Sequence, residues 1–166
     1  MFKKLFGKKE NAPKTEKVYS PLTGLLANLD EVPDPVFAEK MMGDGMAVKP
    51  NEGLVVAPVK GDIIQVFPTK HAIGLKTSGG AEILIHIGLE TVGMKGEGFT
   101  AHVQEGDSVN VGDKLVTFDM DLVSSKANST ITPIIITNGD VVETISKQPV
   151  GPVKAGETEI MEITLK

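Results

Sequence analysis

Only three histidines occur in the 166 residues, and two of them stand where a hairpin would bring them together. The stretch 69–90 reads TKHAIGLKTSGGAEILIHIGLE. Two apolar, β-branched runs flank Ser78-Gly79-Gly80, which predicts a hairpin turn. With Ser78 and Gly79 as a two-residue loop, Thr77 faces Gly80, Leu75 faces Glu82, Ile73 faces Leu84, and His71 faces His86. Directly opposed residues hold their Cβ atoms about 4.5–5.5 Å apart on one face of a sheet. Thr69 falls on the same face by period-two alternation, opposite Gly88. Its hydroxyl can then hold a ring nitrogen of His71 and fix that ring's tautomer. Ile83, Ile85, Ile87 and Leu89 line the other face, toward the core. The histidine face also carries Ile73, Leu75 and Leu84, which suggests a flat docking surface around a polar pair. The competing arrangement is a sheet buried on both faces, with the histidines satisfied as core polar groups. A one-residue slip at the glycine-rich turn would break the pairing.

Two opposed imidazoles suit phosphoryl transfer. One neutral ring attacks phosphorus as a nucleophile, and the other donates a hydrogen bond to the phosphoryl oxygens, best when cationic. A cysteine nucleophile is excluded, because the chain has no cysteine, and no GxSxG motif is present. A zinc site needs three or four ligands. His71 and His86 supply two, so only a weak zinc site, completed by Glu90 or by a partner's carboxylate, is open to them. A zinc peptidase would need an H-x-H pair, which does not occur. A lipoyl or biotin carrier would present a lysine on a tight turn; Lys95 is the nearest, without the usual flanks.

These residues need a scaffold, and the composition supplies one. At 40% apolar content, the chain is long enough for one domain with a real core. Residues 1–17 read as a flexible lysine-rich tail, and 18–166 as a single domain. All 17 basic residues are lysine, and six of them lie in the tail, leaving the rest at about −9. An acidic body without arginine is a poor match for nucleic acid and suits a partner with a basic face. No apolar run reaches a membrane span or forms a signal peptide, and a cytoplasmic location fits. Met1, Phe2, Leu5 and Phe6 share one side of a helical wheel, with most tail lysines opposite, so weak contact with an anionic membrane is also open.

Short β-branched runs punctuated by 18 glycines and 10 prolines predict an all-β fold. The expected form is an antiparallel β-sandwich, or barrel-sandwich hybrid, with one or two short helices. Strands are expected over 54–58, 63–67, 83–87, 114–118, 134–137, 141–145 and 159–165. Asp34-Pro35 predicts a helix start, with Gly43 closing it after Met42. A second helix is expected over 121–127. Segments 55–61, 105–109 and 111–115 resemble the two halves of a lipoyl- or biotin-type barrel-sandwich.

Several segments together resemble the glucose-family enzyme IIA of the bacterial phosphoenolpyruvate-dependent sugar phosphotransferase system. They are Ser20-Pro21-Leu22-Thr23-Gly24, Pro33-Asp34-Pro35-Val36-Phe37-Ala38-Glu39-Lys40, Gly43-Asp44-Gly45, Pro68-Thr69-Lys70-His71-Ala72, His86-Ile87-Gly88-Leu89-Glu90-Thr91-Val92, Lys95-Gly96-Glu97-Gly98-Phe99 and Ser129-Thr130-Ile131-Thr132-Pro133. The resemblance implies a β-sandwich with a shallow active-site depression. It makes His86 the phosphoryl acceptor, as tele-phosphohistidine, with His71 stabilising the group and Thr69 behind His71. An apolar rim for partners carries over to Val36, Phe37, Met41, Met42, Phe67 and Leu84. Acidic contacts to the histidine-containing carrier protein (HPr) carry over to Asp34 and Glu90. The implied protein is a cytoplasmic phosphotransferase that acts as a monomer and needs no cofactor. It takes the phosphoryl group from phospho-HPr and hands it to the cysteine of a IIB domain of a sugar permease. A regulator that only binds partners through this face would gain no acid-labile, base-stable phosphate. His102 matches none of these motifs and reads as a surface strand residue.

Overall fold

Apolar residues alternate on both sides of the central strands, and this decides the architecture. In the computed structural model, residues 15–166 are described. The strands are β1 (Thr15–Tyr19), β2 (Gly24–Asn28), β3 (Asp44–Pro50), β4 (Leu54–Val56), β5 (Gly61–Val66), β6 (Ala72–Thr77) and β7 (Glu82–His86). They continue with β8 (Phe99–Ala101), β9 (Ser108–Val109), β10 (Lys114–Phe118), β11 (Thr132–Ile136), β12 (Val142–Lys147), β13 (Gly151–Val153) and β14 (Glu159–Leu165). Two short helices, α1 (Pro35–Ala38) and α2 (Met120–Lys126), interrupt them. The all-β antiparallel sandwich is thus as expected. An eight-stranded sheet runs β13-β2-β3-β11-β7-β6-β5-β9, and two three-stranded sheets run β1-β14-β12 and β4-β10-β8. Thr15, Glu16 and Lys17, read from sequence as tail, already belong to β1, which pairs with β14. The amphipathic stretch expected at Met1 to Phe6 lies outside the described residues.

Alternation along three neighbouring strands separates two apolar clusters. Ile83 and Ile85 of β7, with Ile134 and Ile136 of β11 and Ile73 and Leu75 of β6, enter the main core. Leu84, Ile135 and Ala72 point to the opposite face and pack there with Phe37 of α1 and with half-buried Phe67. A sheet covered on both faces reads as continuous apolar runs, as TPIII and EILIH do here. The face bearing His86 is therefore a second, smaller core, partly roofed by α1.

The hairpin turn is one residue longer than expected. Observed partners are Lys76↔Glu82, Leu75↔Ile83, Gly74↔Leu84, Ile73↔Ile85 and Ala72↔His86. The Gly80 N–H donates to the Thr77 carbonyl at 3.0 Å, and the Thr77 N–H to the Ala81 carbonyl at 2.9 Å. That three-residue loop moves Ile73 and Leu75 from the histidine face, where the two-residue loop put them, into the main core. Leu89, expected on the core side, instead joins the outer cluster.

The first helix starts where its cap predicts, and the second, expected over 121–127, starts one residue earlier at Met120 behind an Asp119 cap. The Asp34 carboxylate accepts from the Val36 N–H at 3.0 Å, with Pro35 as first helical residue, and the Asp119 carboxylate accepts from the Leu122 N–H at 3.0 Å. The first helix stops well short of Gly43, because Lys40 turns left-handed at φ 59°. Gly43 serves another purpose: a Cβ there would stand 2.1 Å from the Ile136 carbonyl oxygen, so only glycine lets the chain pass over β11.

The stability of this platform should reside in the shared strands. Ile85 is completely buried between β6 and β11. Ile85→Ala should cost about 2–5 kcal/mol by transfer and cavity terms. Urea unfolding measures it, and a loss under about 0.5 kcal/mol would contradict this account of the sheet.

Candidate functional site

Ala72, not His71, stands opposite His86, yet the two imidazoles do meet. His71 lies one residue before β6, after a turn at Pro68–Lys70 closed by the Lys70 N–H on the Phe67 carbonyl at 2.7 Å. Lys70 is left-handed there, at φ 61°. Strand alternation no longer governs a residue outside the ladder, so His71 turns its ring over the end of the hairpin. The His71 and His86 ring centres are 4.9 Å apart, nearly perpendicular at 81°. The His71 carbonyl accepts from the Ile87 N–H at 2.7 Å, tying the two strand ends together.

Each ring is held from behind. Thr69 Oγ1 and His71 Nδ1 share a hydrogen bond of 2.5 Å, the contact the sequence predicted. Gly96 backs this turn, since a Cβ there would meet the Thr69 backbone at 3.6 Å. His86 Nδ1 lies 2.8 Å from the Gly88 carbonyl oxygen. A carbonyl can only accept, so Nδ1 carries the proton and the neutral ring leaves Nε2 with its lone pair. Sequence reasoning saw Gly88 only as open space across from Thr69. The overlooked signal was a glycine two residues after the histidine, able to turn its carbonyl back.

Aromatic rings complete the walls. Phe37 sits 5.1 Å from His86, and Phe67 lies 5.6 Å from His71 with its edge to the ring. Phe37 and Leu84, expected on the rim, are buried in the outer cluster. Val36, Met41 and Met42, expected on the rim, are exposed; Met41 is 69% accessible. Asp34 is half-buried close by, and Glu90 is exposed on the turn after His86 in a left-handed conformation at φ 61°. His102 lies outside the site, exposed and bonded to Thr117 Oγ1 at 3.0 Å. Among the described residues, no group of three or more histidine, aspartate or glutamate side chains converges to hold a metal ion.

Burial pushes the His71 pKa down from 6.5 to about 4, helped by the neighbouring His86 charge. Burial lowers His86 too, against the Gly88 hydrogen bond and the negative charge of Asp34, which favour its protonated form. Near neutrality His71 is therefore uncharged at rest, unlike the cation that sequence reasoning preferred. The site presents one bare Nε2 beside a second neutral ring, inside an apolar wall, with a single carboxylate near enough to answer positive charge on His86.

Residues 16–142 match the family model described as phosphoenolpyruvate-dependent sugar phosphotransferase system, EIIA 1. A protein of Halalkalibacterium halodurans named PTS system glucose-specific EIIA component is 59% identical, with 100% of this chain and 99% of that protein aligned. One of the same name from Bacillus cereus is 57% identical over 100% of both. The solved structure of glucose permease IIA from Mycoplasma capricolum superposes with a TM-score of 0.82 at 42% identity, covering 98% of this chain and 99% of that one.

The depressed pKa gives a signed pH dependence. Between 6.5 and about 4 the unfolded chain protonates at His71 while the folded chain does not. Stability from the neutral pair is complete above about 6.5 and is lost as pH falls toward 4. NMR titration should place the His71 midpoint near 4. Phe67→Ala admits water to the ring and should raise that midpoint. An unshifted midpoint in the parent protein would remove the burial argument.

Proposed function

The chain belongs to the EIIA 1 family of the phosphoenolpyruvate-dependent sugar phosphotransferase system, and from that membership we propose the roles of its two imidazoles. The protein is a phosphocarrier: it accepts a phosphoryl group from HPr and passes it to a IIB domain. His86 is the acceptor and His71 stabilises the group in transit. The supporting observation is the Gly88 carbonyl on His86 Nδ1, which leaves Nε2 unprotonated and beside His71. The relatives named glucose-specific favour a glucose-type permease as the destination. A cytoplasmic monomer meets both partners over the rim of Val36, Met41 and Met42.

Transfer on this reading needs no proton from His86. The Nε2 lone pair forms the bond to phosphorus as the bond to the HPr nitrogen breaks. Positive charge develops on the His86 ring and is answered by the Gly88 carbonyl and Asp34. Thr69 donates to His71 Nδ1, so His71 presents Nε2–H to the phosphoryl oxygens. The arriving dianion raises the basicity of His71, which can then become cationic and follow the charge. Onward transfer breaks the bond to Nε2 and forms one to a IIB cysteine sulfur, with the His86 ring as leaving group.

The variants divide these roles. His86→Gln should accept no phosphoryl group, as followed by mass spectrometry. His71→Gln can still donate a hydrogen bond but cannot become cationic. It should keep uptake at a reduced level and lose about a hundredfold in onward transfer. Thr69→Ala should be a milder form of it. Loss of uptake in His71→Gln with retention in His86→Gln would reverse the assignment. Asp34 and Glu90 meet the basic face of HPr, so uptake should slow as ionic strength rises. A rate indifferent to salt, and unchanged in Asp34→Asn with Glu90→Gln, would deny them that part.

A further inference from the structure

Ser129-Thr130-Ile131-Thr132-Pro133 takes no part in the chemistry above, yet it lies directly behind His86. The peptide unit joining Gly88 to Leu89 is held at both ends. Its carbonyl accepts from His86 Nδ1 at 2.8 Å, and its N–H donates to the Ser129 carbonyl at 2.8 Å. A peptide unit is planar, so its C=O and N–H point in opposite directions along one rigid plate. Whatever fixes the N–H therefore aims the carbonyl.

Further bonds clamp this plate. The Asn128 N–H donates to the Leu89 carbonyl at 3.0 Å, and the Gly88 N–H to Thr132 Oγ1 at 3.4 Å. Gly88 has φ +71°, and a Cβ on it would stand 2.7 Å from the Ser129 carbonyl oxygen and 2.8 Å from Thr91 Cγ2. The two segments pass so closely that only glycine fits. Ser129 in turn builds the local turn that presents its carbonyl. Its Oγ accepts from the Ile131 N–H at 3.1 Å, while Thr132 Oγ1 donates to the Thr130 carbonyl at 3.0 Å.

We propose that Ser129 is a positioning residue for phosphoryl transfer. Its side chain closes the turn that offers its carbonyl to Leu89, and the 88–89 peptide relays that restraint to Nδ1 of His86. The inference rests on the reading of His86 as acceptor. A neutral imidazole has two tautomers. In the one carrying its proton on Nε2, no lone pair faces phosphorus. The two hydrogen bonds also lie in series, so each polarises the other. The Ser129 turn thus biases the tautomer and raises electron density at the attacking nitrogen.

The test uses the full chain with Ser129→Ala and Ser129→Thr. Nitrogen-15 NMR of the unphosphorylated protein reads the His86 tautomer, and single-turnover reaction with phospho-HPr reads uptake. Ser129→Ala should show a population protonated at Nε2 and slow uptake on the order of fivefold, the worth of one neutral hydrogen bond. Ser129→Thr, which keeps the hydroxyl, should restore both. Thermal unfolding is followed in parallel. A purely structural serine would lower the midpoint and leave the tautomer as in the parent, and that result overturns the proposal. Should Ser129→Ala fail to fold, Thr132→Val removes the acceptor of the Gly88 N–H and should move the tautomer in the same direction; an unchanged tautomer there overturns it equally. Phosphorylation of the parent at a residue other than His86 would instead refute the reading of the acceptor, a result distinct from any tautomer measurement.

Discussion

Two imidazoles placed 4.9 Å apart in an apolar pocket cannot both carry charge, and the rest of the site follows from keeping them neutral and oriented. Phe37 and Phe67 withhold water from the rings. A neutral imidazole then has to be told which nitrogen holds its proton. Thr69 addresses Nδ1 of one ring and the Gly88 carbonyl addresses Nδ1 of the other. Both Nδ1 atoms are thereby engaged, which leaves the Nε2 atoms outside these two bonds. On the reading of His86 as acceptor, the pair is poised because its ground state lacks the charge that an arriving phosphoryl group would bring.

That precision needs a stiff support, and the double-faced sheet provides it. Neighbouring strands β3, β11, β7 and β6 bury alternate residues in two separate clusters, so none can shift without exposing apolar surface on one side or the other. The irregular backbone sits where this regular part ends. Among the described residues, the non-glycine residues with positive φ are Lys40, Lys70, Glu90 and Lys95. Lys40 ends the helix that carries Phe37, Lys70 precedes His71, Glu90 follows the His86 turn, and Lys95 adjoins the glycine behind Thr69. Each costs on the order of 1–2 kcal/mol. Such strain persists only where the surroundings over-determine it, as they do around a site that must hold its shape.

Much of this was legible in the residues, and the failures have physical causes. Alternation and turn composition marked most strands, and Asp34 marked the first helix start through its capping chemistry; the second helix was expected from 121, and its cap at Asp119 went unread. The pairing of His71 with His86 was anticipated, but through a register off by one. The glycines that signal a turn do not reveal its length, and the three-residue loop moved Ile73 and Leu75 to the other face. The histidines meet because His71 lies beyond the strand, where a left-handed Lys70 frees it from alternation. Periodicity cannot show that. The Gly88 carbonyl was missed for a related reason: a backbone acceptor has no side chain to announce it. Gly43, read as a helix stop, is required by a close passage over β11, a contact between residues far apart in sequence.

The same geometry separates holding a phosphoryl group from losing it to water. Hydrolysis at His86 would need a base to activate a water molecule near phosphorus. His71 is adjacent, but on the reading of His86 as acceptor its Nε2–H is given to the phosphoryl oxygens, so that nitrogen has no lone pair with which to take a proton from water. Asp34 is close enough to act on His86 by its charge, but one carboxylate oxygen is committed to the Val36 N–H as helix cap. Phe37 lies against the His86 ring, with ring centres 5.1 Å apart. On the reading of His86 as acceptor, the groups around it favour charge transfer between partners and leave water unassisted. On that same reading, what completes the reaction comes from whichever partner brings or removes the phosphoryl group.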